Sequence, residues 1–206
     1  MLKKARGEPL TQPVEVSVSQ PEGSPVEQCV QMLLRMLYLR DYETELHTQR
    51  VAQLSLELAT KLGLAEELYA GIRIGALLHD IGKLVIPDAI LFKVGKLTTA
   101  EWQTLQTHPR NGYNLLAPVA FFRDVVDIPF CHHEHWDGSG YPRGMKAEEI
   151  PLNARIFSIA DVWDSLSTDR PYRPAWKLED ARFFMKEQAG VMFDPGLMPA
   201  FFEIAG

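Results

Sequence analysis

The sequence predicts a nearly all-α fold, a helical bundle behind a short flexible N-terminal leader. From residue 26 onward, apolar residues recur with the 3.6-residue period of amphipathic helices, and turns containing glycine separate the periodic stretches. Residues 1–25 carry four prolines and few apolar residues, apart from Val14, Val16 and Val18 in alternation with polar ones. We therefore expect a flexible leader over 1–25, with a short edge strand as the alternative, and one domain over 26–206.

Composition limits the class of protein. A chain of 206 residues that is 46% hydrophobic and 23% charged suits one ordinary hydrophobic core. Its formal net charge of −6 argues against a general nucleic-acid or anionic-membrane surface. Cys29 and Cys131 form no paired motif, and no apolar stretch approaches the ~18 residues that span a bilayer. We expect a soluble cytoplasmic protein without membrane contacts.

One predicted helix begins near Glu43. Positions 43, 47, 51, 54 and 58 share one helix face, and the last three are Val51, Leu54 and Leu58. Glu43 and His47 therefore extend a stripe that we expect to be buried.

The next predicted helix carries a histidine to the core. Leu68, Ile72, Gly75 and His79 share a face, so His79 lies at the helix end, and Gly82 is expected to let the chain turn there. Asp80 can reach the same centre only if that end is irregular.

Two further helices are predicted beyond this turn. Thr98 and Glu101 have capping-box spacing, and Pro109 breaks or restarts the helix directly after His108. The segment 151–166 is apolar almost all round, which predicts a central helix. Asp161 within it would be costly to bury without a partner.

All six histidines lie between residues 47 and 135, and one is followed directly by an aspartate. A single histidine is usually a surface or core residue, but a cluster with carboxylates is typical of a metal site. Neutral imidazoles suit Zn, Fe, Mn or Ni, and a carboxylate can bridge two cations. The pattern predicts a hydrolytic metal centre.

Two motifs are specific enough to resemble a known family. The chain contains His79-Asp80-Ile81-Gly82-Lys83 and, further on, the run from His132 to Pro142, which reads HHEHWDGSGYP. Both resemble the HD-GYP family of cyclic di-GMP phosphodiesterases, and the resemblance covers roughly residues 26–206. It implies the HD-superfamily helical bundle and a metal-activated hydroxide that hydrolyses cyclic di-GMP to linear pGpG and/or GMP.

The resemblance also implies the metal ligands. Asp80 would bridge two ions, and Glu43 matches the branch of the family that holds a third; its alternative role is a solvated acid at a helix start. The cofactors implied are two or three divalent transition-metal ions, Fe or Mn first, with Ni, Co or Zn as alternatives. The implied ligands are Glu43, His47, His79, Asp80, His108, His132, His133 and Asp161.

Further positions match residues that act on the substrate. Besides Asp80, the implied catalytic residues are Lys83, on the scissile phosphate, and Asp164, which orients water or a ligand imidazole. Lys83, Tyr141, Arg170 and Arg173 match substrate-binding positions, although ordinary surface charge is an alternative for both arginines.

Two other functions stay open. One is an HD-type phosphohydrolase acting on other nucleotides, and the other is a non-catalytic signalling module that binds diguanylate cyclase domains. The Gly140-Tyr141-Pro142 segment favours cyclic dinucleotides, and the intact ligand set argues against a module without turnover. Because 25 residues are too few for a sensor domain, regulation is expected to come from a separate sensor protein.

Overall fold

A computed structural model of the chain describes residues 23–40, 44–169 and 174–205. These residues form α-helices joined by short loops and 3-10 turns, with no strand and one isolated β-bridge between Ala189 and Phe193. The predicted all-α fold is confirmed. The helices are α1 (Pro25–Arg40), α2 (Thr44–Lys61), α3 (Tyr69–Leu77), α4 (Asp88–Leu91), α5 (Thr99–Leu105), α6 (His108–Leu116), α7 (Asp127–Cys131), α8 (Leu152–Ser167), α9 (Leu178–Glu187) and α10 (Met198–Ile204).

The helix α8 is central, as its uniformly apolar sequence predicts. It packs against α2, α3, α7 and α9, and Ile156, Phe157, Ile159 and Ala160 are fully buried on it. The α2 stripe behaves similarly, since Val51 and Leu58 are fully buried. Burial of this kind stabilises the fold by about 1.5–3 kcal/mol for each large side chain.

The end of α3 is irregular, as the position of Asp80 requires. The helix ends at Leu77, and a 3-10 segment runs from Ile81 to Val85, so His79 and Asp80 lie in the short connection between them. The predicted stripe is correct for Ile72, which is buried, but not for Leu68, which is 52% exposed. Leu68 belongs to a separate 3-10 turn before α3, so the helical period does not extend back to it.

The predicted capping box opens α5. The Thr98 hydroxyl accepts from the Glu101 backbone N–H, and the Glu101 carboxylate accepts from the Thr98 backbone N–H. After α5 the helix restarts as α6, with His108 as its first residue and Pro109 in its first turn. A proline is tolerated there because the first N–H groups of a helix have no partner within it.

Gly82 lies in the turn after α3 and has a further role that the sequence does not predict. Its backbone does not adopt the left-handed conformation that favours glycine; instead, the segment around it lies directly against α6. A Cβ atom at Gly82 would lie 1.9 Å from the His108 carbonyl oxygen and 2.5 Å from the Gly112 nitrogen. Glycine is therefore required for a close backbone contact between two ligand-bearing segments.

The predicted leader, residues 1–25, falls almost entirely outside the described residues, so its flexibility stays a prediction. Within the described ranges, α1 begins at Pro25, close to the predicted domain start. No helix in those ranges combines the length and apolar content needed to cross a bilayer.

We predict that Gly82→Ala lowers the free energy of unfolding by about 1–3 kcal/mol, because its methyl group overlaps the His108 backbone. Gly71→Ala on α3 is the matched control: its Cβ would be 3.5 Å from the nearest atom, the Asp124 carbonyl oxygen, so helix propensity makes its effect neutral or slightly stabilising. Chemical denaturation of both variants checks this, and equal stability of the two would contradict the close-contact role.

Candidate metal centre

The implied ligands within the described residues converge on one place. They form two groups, each with ligand atoms within 4.8 Å of one another: His108, His132 and His133 in one, and His47, His79 and Asp161 in the other. We call these the first and second triads. They come from the ends of α3 and α7, the start of α6, and the interiors of α2 and α8.

Asp80 lies between the two triads. Its Oδ1 atom is 3.3 Å from Nε2 of His108 and 3.9 Å from Nε2 of His132, both of the first triad. Its Oδ2 atom is 3.1 Å from Nε2 of His79, in the second triad. One buried carboxylate thus presents one oxygen to each group, which is the arrangement of a ligand that bridges two cations.

Three of the imidazoles are oriented by the same local device. Nδ1 of His79 lies 2.8 Å from the Ala76 carbonyl oxygen, and Nδ1 of His108 lies 2.8 Å from that of Leu105. Nδ1 of His132 lies 3.2 Å from the carbonyl oxygen of Pro129, again three residues earlier. A carbonyl can only accept, so each Nδ1 carries the proton and each Nε2 offers a lone pair to the centre.

A cation fits this set of donors. Nε2 of His108 and Nε2 of His132 lie 3.1 Å apart, and the carbonyl contacts leave both atoms without a proton. Two lone pairs repel at this distance, whereas a cation bound to both nitrogens turns the contact into an attraction. The residues present therefore suit a metal ion at the first triad.

Electrostatics keeps the first triad neutral. Burial, followed by the charge of His133, lowers the pKa of His132 well below its ordinary value, and burial also lowers that of His108. Burial, followed by His108, lowers the pKa of His133 to about 3. Neutral imidazoles are the form that ligates metals, so these ligands need lose no proton on binding near neutral pH.

The second triad is held by charge. Burial opposes a proton on His47, but hydrogen bonds to Asp161 and Asp164 outweigh it and raise the pKa of His47 to about 9. Nε2 of His47 is 3.1 Å from Oδ1 of Asp161, and Nδ1 is 2.6 Å from Oδ2 of Asp164. A cation at Nε2 takes the place of a proton, so metal binding there releases one.

Asp164 and Lys83 both contact members of the centre, and their catalytic roles stay predictions. Asp164 contacts the ring of His47, which suits a residue that orients an imidazole. Nζ of Lys83 is 2.7 Å from Oδ2 of Asp80 and lies on the wall of a pocket of about 140 Å³ above the ligands. Burial by itself would raise the pKa of Asp80, but the charges of Lys83 and His79 lower it well below its ordinary range.

Tyr141 packs on the ligand shell. Its ring stacks on His133 with centroids 4.7 Å apart. The sequence is compatible with two roles for Trp136, stacking on the substrate and anchoring the loop. The centre of its ring lies 5.7 Å from the guanidinium carbon of Arg155, and its backbone N–H donates to the Met192 carbonyl. These contacts favour anchoring.

Three implied site residues, Glu43, Arg170 and Arg173, lie outside the described residues, and their roles stay predictions. A larger cavity of about 520 Å³ is lined mainly by apolar side chains of α3 and of the segments before α7 and α8. It contains none of the implied site residues that the structure describes.

Sequence reasoning missed two residues. Arg50 contacts both oxygens of Asp164, and its only sequence signal is its position three residues after His47 on the same helix. Glu134 is 2% exposed, and its carboxylate accepts from the backbone N–H groups of Arg143 and Met145. Its place in the sequence beside His132, His133 and His135 suggests a metal ligand. Its hydrogen bonds to the backbone show instead that it anchors the glycine-rich loop, residues 138–144.

Comparison with known families agrees with this geometry. The HD domain family matches residues 31–197. The chain belongs to the HD domain family. This match and the chain's cyclic di-GMP phosphodiesterase relatives confirm the predicted HD-GYP domain.

Three proteins illustrate the likeness of this HD domain. The cyclic di-GMP phosphodiesterase response regulator RpfG of Xanthomonas campestris is 42% identical over 170 residues, which cover 82% of this chain and 45% of RpfG. The 3'3'-cGAMP-specific phosphodiesterase 2 of Vibrio cholerae is 38% identical over 86% of this chain and 34% of that protein. The solved structure of Bd1817, an HD-GYP-type protein of Bdellovibrio bacteriovorus, superposes with a TM-score of 0.60 at 25% identity, over 78% of this chain and 52% of that one. The part of this chain that matches thus spans less than half the length of the two curated relatives, RpfG and the Vibrio cholerae phosphodiesterase.

We predict that Glu134→Gln loosens the glycine-rich loop and leaves the metal content unchanged. An amide has one accepting oxygen where the carboxylate has two, so one backbone N–H loses its partner at a cost of about 1–3 kcal/mol. Hydrogen exchange at the Arg143 and Met145 amides should quicken. Glu149→Gln is the control, since its exposed carboxylate accepts from the Lys146 backbone N–H; exchange unchanged in the first variant, or metal lost from it, would contradict the anchoring role.

Proposed function

We propose that this chain is a metal-dependent phosphodiesterase that hydrolyses cyclic di-GMP to linear pGpG and/or GMP. The observation that carries the proposal is Asp80, whose two oxygens face two separate triads of ligands while Lys83 contacts the same carboxylate. A two-metal site with an adjacent cation suits attack on a phosphodiester. The relatives named as cyclic dinucleotide phosphodiesterases support the same reaction class.

The proposed cofactors are two or three divalent transition-metal ions, Fe or Mn first, held by the two triads and Asp80, with Glu43 as ligand of a third. When bound, such ions lower the pKa of water and polarise a phosphoryl oxygen. The carboxylates of Glu43, Asp80 and Asp161 carry three negative charges, fewer than the positive charges of two or three divalent ions. The loaded site is therefore positive and attracts an anionic phosphodiester although the chain is acidic.

The protein's own residues have distinct tasks in this proposal. Lys83 donates to the scissile phosphate as charge builds up on its oxygens, and Asp164 keeps His47 in its ligating orientation. Because the pocket of about 140 Å³ is smaller than the 300–1,000 Å³ or so typical of whole-ligand sites, it suits a phosphate group rather than a complete dinucleotide. Tyr141, Arg170 and Arg173 would contact the remainder of the substrate.

Cyclic GMP-AMP is a second candidate substrate. The relative from Vibrio cholerae named as 3'3'-cGAMP-specific favours it, and both dinucleotides share the phosphodiester ring that the site would attack. Action on other nucleotides, a role as a non-catalytic module, binding of diguanylate cyclase domains or a separate sensor protein, and a cytoplasmic location stay predictions.

The first test is direct. Metal-replete protein, prepared anaerobically, is incubated with cyclic di-GMP, cyclic GMP-AMP and mononucleotides, and the products are separated by chromatography. We expect at least two transition-metal ions per chain and linear or mononucleotide products from a cyclic dinucleotide. Asp80→Ala should lose metal and activity together, because both triads lose their common ligand. Turnover of mononucleotides alone would favour a general phosphohydrolase, and full metal content without turnover would favour a binding module.

The second test separates substrate recognition from metal binding. We predict that Lys83→Ala keeps its metals, because an ammonium group cannot ligate a cation, and loses at least about tenfold in kcat/KM, or roughly 1.4 kcal/mol of transition-state stabilisation. Lys93→Ala, which breaks an ion pair with Glu101 outside the centre, is the control and should keep full activity. Loss of metal from Lys83→Ala in proportion to activity would instead make Lys83 a residue that positions Asp80 for metal binding.

A further inference from the structure

Arg50 on α2 binds Asp164 through two parallel hydrogen bonds. Its Nε atom lies 2.5 Å from Oδ1 of Asp164, and its Nη2 atom lies 2.9 Å from Oδ2. This fork is the strongest geometry between a guanidinium and a carboxylate, and it fixes the plane of the carboxylate as well as its position.

The oxygen that Arg50 holds also orients a ligand. Oδ2 of Asp164 accepts from Nδ1 of His47 at 2.6 Å, and Nε2 on the far side of that ring faces Asp161 in the second triad. Contacts therefore run without a gap from Arg50 through Asp164 and His47 to one metal position. Each link is a hydrogen bond to a charged group, the class that holds geometry most firmly.

Arg50 also neutralises a buried charge. The Asp164 side chain is 7% exposed and that of Arg50 is 42% exposed, so the pair joins a buried carboxylate to a cation at the surface. Without the guanidinium, Asp164 keeps its charge inside the protein with one cationic partner fewer, which is costly and frees the carboxylate to rotate.

In the part of the chain that the structure describes, two of the three histidines of the first triad are oriented by the main chain. His108 and His132 are oriented by the backbone carbonyls of Leu105 and Pro129, which stay in place when a side chain is changed. In the second triad, His79 is likewise oriented by a backbone carbonyl, that of Ala76, whereas His47 is held through a chain of side chains that reaches solvent.

From this asymmetry we propose that Arg50 is a positioning residue that sets the metal affinity of the second triad and leaves the first triad unaffected. The inference rests on the proposed function, since it requires two metal positions. It makes the metal of His47, His79 and Asp161 the more easily lost of the two, with Arg50 as the residue that controls its retention.

The experiment measures metal directly. The full chain and the variants Arg50→Ala and Arg50→Lys are loaded with Mn²⁺ and dialysed against graded concentrations of chelator, and metal per chain is measured at each step. Lys61→Ala is the matched control, because Lys61 is also a partly exposed cation on α2 but pairs with Glu203, away from the ligands. Thermal unfolding of the metal-free proteins reports any general loss of stability.

In Arg50→Ala we expect one equivalent to be released at lower chelator concentration, with its affinity reduced about 10- to 100-fold, as for other residues that orient ligands. The other equivalent should be unchanged. Arg50→Lys should fall between the wild type and Arg50→Ala, because it restores the charge without the fork, and Lys61→Ala should match the wild type.

Four results would overturn the inference. Equal weakening of both equivalents, or loss that follows the unfolding temperature, makes Arg50 a general structural residue. Unchanged release in both Arg50 variants removes its role while leaving the proposed function intact. Wild-type protein that binds fewer than two ions overturns the inference and the proposed function together.

Discussion

The geometry of the candidate metal centre depends on one buried carboxylate, that of Asp80. Asp80 is 6% exposed, yet neighbouring positive charge keeps its pKa low, so it is ionised inside the protein. An ionised carboxylate in such a place must be compensated by positive charge. Lys83 contacts it, and each carboxylate oxygen also faces a different group of imidazoles that suits a cation. Five helices, α2, α3, α6, α7 and α8, pack so that their ligand-bearing residues meet around this group. The bundle can be understood as a frame that brings cation-binding groups to both faces of one carboxylate.

Helix ends supply much of this frame. The last carbonyls of a helix have no partner within it, and here they accept from the imidazoles that follow. The contacts Ala76 to His79, Leu105 to His108 and Pro129 to His132 all use a carbonyl three residues earlier. The same hydrogen bond therefore satisfies a helix terminus and fixes a histidine tautomer, which explains why these ligands cluster at irregular points in the chain. Local backbone chemistry and metal chemistry are joined at each of these positions.

Sequence alone predicts a large part of this structure. Periodicity predicts α2, α3 and α8, and the capping box predicts α5, because each of these is a local pattern. The two motifs contain only His79, Asp80, His132 and His133 of the implied ligands, and the family resemblance implies the others. The remainder depends on contacts between distant segments. Arg50 meets Asp164 across 114 positions of sequence, and Glu134 is identified as a loop anchor only by the backbone it contacts. The function of Gly82 is likewise tertiary, since a glycine in a turn motif does not reveal that another helix lies against it. The wrong prediction for Leu68 has the same origin. The helical pattern of the sequence extends back to Leu68, but in the structure Leu68 lies in a 3-10 turn before the helix begins.

The contact at Gly82 also bears on which ions the centre can accept. The main chain next to Asp80 touches the main chain of His108 with no side chain between them, so the separation of these two ligands is set by backbone thickness. It cannot shrink further, and any larger residue would widen it. Ions of different radius would therefore be accommodated by rotation of imidazole and carboxylate groups, with the helices staying in place. Selection among metals at this centre would then depend on side-chain torsion angles and ligand chemistry, because the distance between the two backbone segments is fixed.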